Sequence, residues 1–196
     1  MTVKVAAYQA PLLPSGSTEA IGLIRHRVEW CEAEGVSVLC CPEAVLGGLA
    51  DDAACPASIA FYAGTGTLEA VLAPLASATV TTILGFTEIT DAGHLYNSAV
   101  VFHQGTVAGL YRKLYPAMRK SVYRAGDRIP VFTTDEFTFG IVICNDSNYP
   151  EVARAIAAQG AAAMFIPTNN SLPPEKADVI AQARQVDIAT ARDTTM

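Results

Sequence analysis

The chain has 196 residues, 51% of them hydrophobic, with a mean hydropathy of +0.30; it can bury one sizeable core but not two, so a single domain over residues 1–196 is expected. No run reaches the roughly 18 apolar residues of a membrane-spanning helix, and a net charge of -6 without a basic stripe disfavours nucleic acid as a partner. Five cysteines, an odd number with no CxxC spacing, argue against a disulfide framework and a zinc ribbon, and the N-terminus MTVKVAAYQAP lacks the apolar core of a signal peptide, so reduced thiols and a cytoplasmic location are predicted.

Taken in chain order, residues 3–8 and 36–41 are short apolar runs that read as buried strands. Between them, over 18–34, Ile21, Ile24, Val28 and Cys31 fall at helical spacing and Gly35 supplies the stop, which completes a βαβ unit. Leu68, Val71, Leu72 and Leu75 suggest a further helix that Pro74 should kink or shorten. From 84 to 113 the segments LGFTEI, NSAVVF and TVAGLYRK read as a meander, separated by turn residues in TDAGHLY and HQG; 80–86 and 98–102 are apolar strand runs. A strand over 137–143 meets NDSNYPEVARAIAAQG, a helix opened by Pro150 and closed by Gly160, and a strand over 161–166 follows. A last helix begins near Pro174. Crossover units combined with hairpins imply an α/β domain with more than one sheet surface to cover.

Three polar residues stand where apolar runs end. Cys144 closes FTFGIVIC just before Asn145 and Asp146, and the free amides of a nearby helix N-terminus would favour a thiolate and a developing oxyanion there. Ligands of open α/β sheets bind beyond the carboxyl ends of strands, although a buried structural cysteine fits the same position. His26, His94 and His103 lie in helical and turn contexts and read as surface residues, so a different base is needed. Glu43 ends VSVLCCPE and Lys113 ends TVAGLYRK; singly, each would be an ordinary exposed charge.

The flanks CCPEAVLGG around Glu43, YRKLYP around Lys113 and ICNDSNYPE around Cys144 resemble, in that order and spacing, the three catalytic motifs of the nitrilase or carbon-nitrogen hydrolase superfamily. VKVAAYQAP, LGFTEI, LYNSAVVF and AGDRIPVFTT extend the resemblance over nearly the whole chain. It implies an αββα sandwich, two mixed sheets between helix layers, often paired into a homodimer. It also implies a triad of Glu43 as base, Lys113 as oxyanion stabiliser and Cys144 as nucleophile, with the Asn145 amide as a second oxyanion donor. The reaction implied is hydrolysis of a small amide through a thioester, with no metal or organic cofactor. Nitrile hydrolysis and acyl transfer would use the same triad, and a catalytically silent binding module would keep the fold.

Three features depart from the family pattern. Lys120 stands where a second glutamate is usual, and it either binds a substrate carboxylate or is simply solvated. Asn145 replaces an aromatic residue and would make the pocket more polar, while Asn169 and Asn170, after AAAMFIPT, are expected to line the same cleft or to serve as turn residues. The sequence ends at ARDTTM, where family members usually continue into further strands, so those C-terminal strands are expected to be missing.

Overall fold

A computed structural model describes residues 3–64, 66–117, 120–134, 137–169 and 177–194. β1 (Val5–Ala7) leads into α1 (Ala20–Glu34), which buries Ile24, Val28 and Cys31 as read from the sequence, with Ala20 completing the stripe one turn earlier and Ile21 only partly buried beside it. Gly35 ends α1 in the left-handed region at φ 67°, turning its amide back to the carbonyls of Cys31 and Glu32. β2 (Val38–Cys40) then pairs in parallel with β1.

After β3 (Phe61–Tyr62), α2 (Thr67–Leu72) passes directly into a 3-10 turn over Ala73–Leu75. Pro74, which has no N–H to continue an α-helical ladder, accounts for the early stop that the sequence predicts. β4 (Thr81–Ile89) is the axis of the larger sheet: β5 (Leu95–His103) runs antiparallel along one edge, and β6 (Thr106–Arg112) completes the meander. The other edge of β4 is shared by β2, a single parallel bridge from Leu46 to Phe86, and β3.

The smaller sheet orders β7 (Val131–Thr133), β8 (Thr138–Ile141) and β9 (Ala163–Phe165), with α3 (Pro150–Ala158) as the crossover between the parallel pair β8 and β9. α4 (Ala177–Thr194) follows; its predicted start near Pro174 lies outside the described residues. β3 and β7, only two and three residues long, are too short to carry a readable alternation, and the sequence did not mark them as strands.

Alternation along the strands assigns each side chain to a layer. Leu39, Leu84, Val100 and Phe102 pack with Ile24, Val28, Leu68 and Leu72 of the first helix layer. Their neighbours Val38, Ile83, Ala99 and Val101 face the other way, onto Phe139, Ile141 and Ile143 of the smaller sheet. Val142 in turn packs on Val152 and Ile156 of α3. The result is helix, sheet, sheet, helix, the αββα sandwich implied by the sequence motifs. Among the described residues no helix is long and apolar enough to cross a membrane.

Candidate active site

Glu43 is placed by a turn that lies flat on β4. Cys41 donates its N–H to the Ile83 carbonyl (2.8 Å) and Leu46 to that of Gly85 (3.1 Å), so the intervening residues cross directly over Gly85. A side chain at Gly85 would collide with the Ala44 nitrogen and the Pro42 carbonyl and sit 2.7 Å from the Glu43 Cα, so the turn requires glycine beneath it.

Lys113 follows β6, its N–H donating to the Asn97 carbonyl (2.8 Å) and its carbonyl accepting from Gly126 (2.8 Å). Its Nζ donates to Glu43 Oε1 at 2.6 Å, and both side chains are buried. Asn97 Nδ2 donates to the same oxygen at 2.8 Å, and the Asn169 backbone N–H donates to Oε2 at 3.0 Å. A buried ion pair recovers its desolvation cost only when such extra bonds satisfy it. The Asn97 Oδ1, buried, has no hydrogen-bond partner among the described residues.

Cys144 stands three residues beyond β8 at φ 45°, a left-handed conformation that strains any residue with a Cβ. It is held there by its own N–H, which donates to the Pro167 carbonyl at 3.0 Å, and by the 3-10 turn Cys144–Asn148 that it begins. Asp146 fixes that turn: its carboxylate accepts from Ile143 N (3.2 Å), Tyr115 N (2.8 Å) and the Tyr111 hydroxyl (2.7 Å). Burial raises the Asp146 carboxyl above its ordinary pKa, and the Tyr111 bond opposes that rise.

The Cys144 thiol lies close enough to Glu43, Lys113 and the Asn169 backbone to be influenced by all three. Its pKa is pushed up to about 11, first by burial and then by the Glu43 charge, against the pull of the Lys113 ammonium. Desolvation outweighs the cation beside it and holds the resting group toward the thiol form. A carboxylate close to a thiol, with an ammonium alongside, can take a proton, release a nucleophile and stabilise a nearby anion.

The structure therefore brings Glu43, Lys113 and Cys144 together. Asn169 joins them through its backbone amide and also lines the adjoining cavity. The Asn145 side chain turns away to the Tyr115 carbonyl (3.0 Å) and accepts from Asn148 (3.2 Å), tying the nucleophile turn to the segment after Lys113. Lys120 is exposed, and its neighbour Ser121 is bonded to Asp51. Asn170 lies outside the described residues. Asn97 and Asp146 were not singled out from the sequence. The signal for Asn97 was its place in NSAVVF, a polar residue in phase with the inward-facing Ala99 and Val101.

A cavity of about 530 Å³ opens at the carboxyl ends of β1, β2 and β9, the side of parallel strands where ligands bind. Tyr8, Leu13, Val45 and Arg184 contribute to its wall, as do Glu43 and Asn169; Cys144 and Lys113 are not among its lining residues. Among the described residues no cluster of His, Cys, Asp and Glu could hold a metal ion.

The chain is similar to known proteins in sequence and in fold. The family described as carbon-nitrogen hydrolase matches residues 4–190. A Pseudomonas protegens protein described as "Hydrolase in pqqF 5'region" is 33% identical over 93% of this chain and 65% of its own length. An (R)-stereoselective amidase of a Pseudomonas species is 33% identical over 72% of this chain and 51% of its own length. The chain thus spans about half to two thirds of these relatives. A carbon-nitrogen hydrolase from Helicobacter pylori has the same fold, with a TM-score of 0.81 at 22% identity over 96% of this chain and 69% of that one.

Proposed function

The chain belongs to the carbon-nitrogen hydrolase family, and from that premise we propose that it hydrolyses a small non-peptide amide through a thioester on Cys144. The observation that carries this reading is the buried Glu43–Lys113 pair, bonded at 2.6 Å, whose opposed charges both act on the Cys144 thiol beside them.

Glu43 accepts the thiol proton as sulfur attacks the amide carbon, so the thiolate exists only while the S–C bond forms. The displaced electron pair moves onto the carbonyl oxygen, where the Lys113 ammonium and the Asn145 backbone N–H stabilise it; losing one such donor typically costs about 3 kcal/mol of barrier. Collapse of the tetrahedral species breaks the C–N bond, and Glu43 passes its proton to the departing nitrogen, which leaves as ammonia or an amine. Water then gives a proton to Glu43 as it attacks the thioester, the carboxylic acid departs, and sulfur takes the proton back. The residues need no metal or organic cofactor for this sequence.

Two further observations support an amide substrate. The cavity beside Glu43, about 530 Å³, is of a size that suits a small molecule, and one relative is described as an amidase. The test is ammonia release from a panel of amides and nitriles, with intact mass measured for an acyl adduct on Cys144. Adduct and acid from amides, both lost in Cys144→Ala, are expected. A chain that gives neither product nor adduct with any member of the panel overturns the proposal.

A further inference from the structure

Glu43 accepts three hydrogen bonds, and its two oxygens have about four lone-pair positions between them. Lys113 Nζ (2.6 Å) and Asn97 Nδ2 (2.8 Å) fill both positions on Oε1. The Asn169 N–H (3.0 Å) takes one on Oε2. One position remains, on Oε2, for a proton from the thiol. We infer that Asn97 is a positioning residue, which by occupying Oε1 together with Lys113 leaves Oε2 of Glu43 as the oxygen that takes the Cys144 proton. This rests on the role proposed above for Glu43 as base.

Three features of Asn97 support the inference. It is the third residue of the nine in β5, opposite Thr87 of β4 and 2% exposed, so its amide is held by a paired strand rather than a loop. Its main-chain carbonyl accepts the Lys113 N–H, so one residue fixes both the start of the lysine and the carboxylate that the lysine reaches. Its Oδ1 is buried without a partner among the described residues, and the amide cannot turn over to satisfy it, because that would set oxygen against the carboxylate. The side chain is oriented by Glu43, at the expense of its own second polar atom.

The substitutions that test this are Asn97→Leu, close in shape without a donor, and Asn97→Asp, close in shape with a possible second negative charge. Both are made in the full chain, alongside Glu43→Gln. The main readout needs no substrate: the rate at which iodoacetamide alkylates Cys144, located by peptide mass, from acid to mildly alkaline pH. The charged and titratable groups that face Glu43 are Lys113, Cys144 and Tyr123, and they are unchanged in both Asn97 variants.

A donor on a carboxylate favours its charged form, so loss of Asn97 should move the acid-side fall of reactivity to higher pH by about one unit and slow alkylation at neutral pH about tenfold or more. On any amide that the panel identifies, kcat should fall while KM stays within about twofold, because the residue touches the base and not the substrate. Thermal unfolding of each variant separates this from lost folding. Variants that melt near the parent yet keep its rate and pH profile overturn the inference, as does a loss of reactivity that follows lost stability with the acid limb unmoved. If the parent chain alkylates no faster than Glu43→Gln, the base role of Glu43 itself is wrong, and the positioning role falls with it.

Discussion

Cys144 lies between two opposed charges, and the sign of each is open to measurement. Burial and the Glu43 carboxylate push its pKa up to about 11, while Lys113 pulls it down. Glu43→Gln removes an upward influence, so the thiolate limb of an alkylation profile should move below that of the parent. Lys113→Ala removes the downward one, so the limb should move higher. If the proposed transfer of the thiol proton to Glu43 operates, both variants should lose reactivity at neutral pH, and on the same proposal Lys113→Ala should slow amide turnover by a factor of hundreds, from the loss of about 3 kcal/mol of oxyanion stabilisation. Stopped-flow alkylation and ammonia release measure these. Glu43, Lys113 and Cys144 were legible in the sequence because each ends an apolar run inside a motif with recognisable flanks. Asn97 was not, since nothing near it in the chain reveals a partner that lies before β4. Asn169 was named as a cleft residue, but its bond to Glu43 is made by a backbone N–H, which every residue except proline has.

Two glycines show how elements carry the site. Gly85 lets the Glu43 turn rest on β4, and Gly140 lets α3 approach β8, where an added Cβ would meet the Ile156 side chain at 2.8 Å. Alanine at either should cost roughly 1–3 kcal/mol by overpacking. The two should differ in function: Gly85→Ala displaces the base and should reduce Cys144 alkylation well beyond its loss of stability, whereas Gly140→Ala crowds only the outer helix layer and should leave the reactivity of the folded fraction near that of the parent. Thermal melts paired with alkylation rates distinguish them. At this scale α1, α3 and the long strands β4 and β5 were readable from periodicity and from glycine and proline punctuation. β3 was not, because two residues paired to the far end of β4 have no pattern of their own. The close approach at Gly85 was equally hidden, since it depends on a turn from another part of the chain.

For the molecule as a whole, the contact between the two sheets is the structural requirement. Phe139, fully buried, packs on Phe132 and Phe165 between them, and Phe139→Ala should cost about 3–5 kcal/mol in chemical unfolding. Because that core holds the sheets in register, amide exchange should rise in β8 and β9 before it rises in β4 and β5. The sequence implied the layers through its mixture of crossovers and hairpins and through its family motifs. The phase in which each strand offers one side to a helix and the other to the opposing sheet emerged only from the pairing registers.

The inter-sheet contact also separates the parts of the site by origin. Glu43, Lys113 and Asn97 belong to the larger sheet and its turns, whereas Cys144 and Asn169 follow strands of the smaller one. A chain under synthesis completes the Glu43 half first, and Cys144 stands apart from it until β9 has been made and docked. On the mechanism proposed above, reactivity is then a property of the joined layers: a molecule that opens between its sheets would keep every residue of the site and lose the proposed proton path, so the thiol would be latent in any form except the closed one.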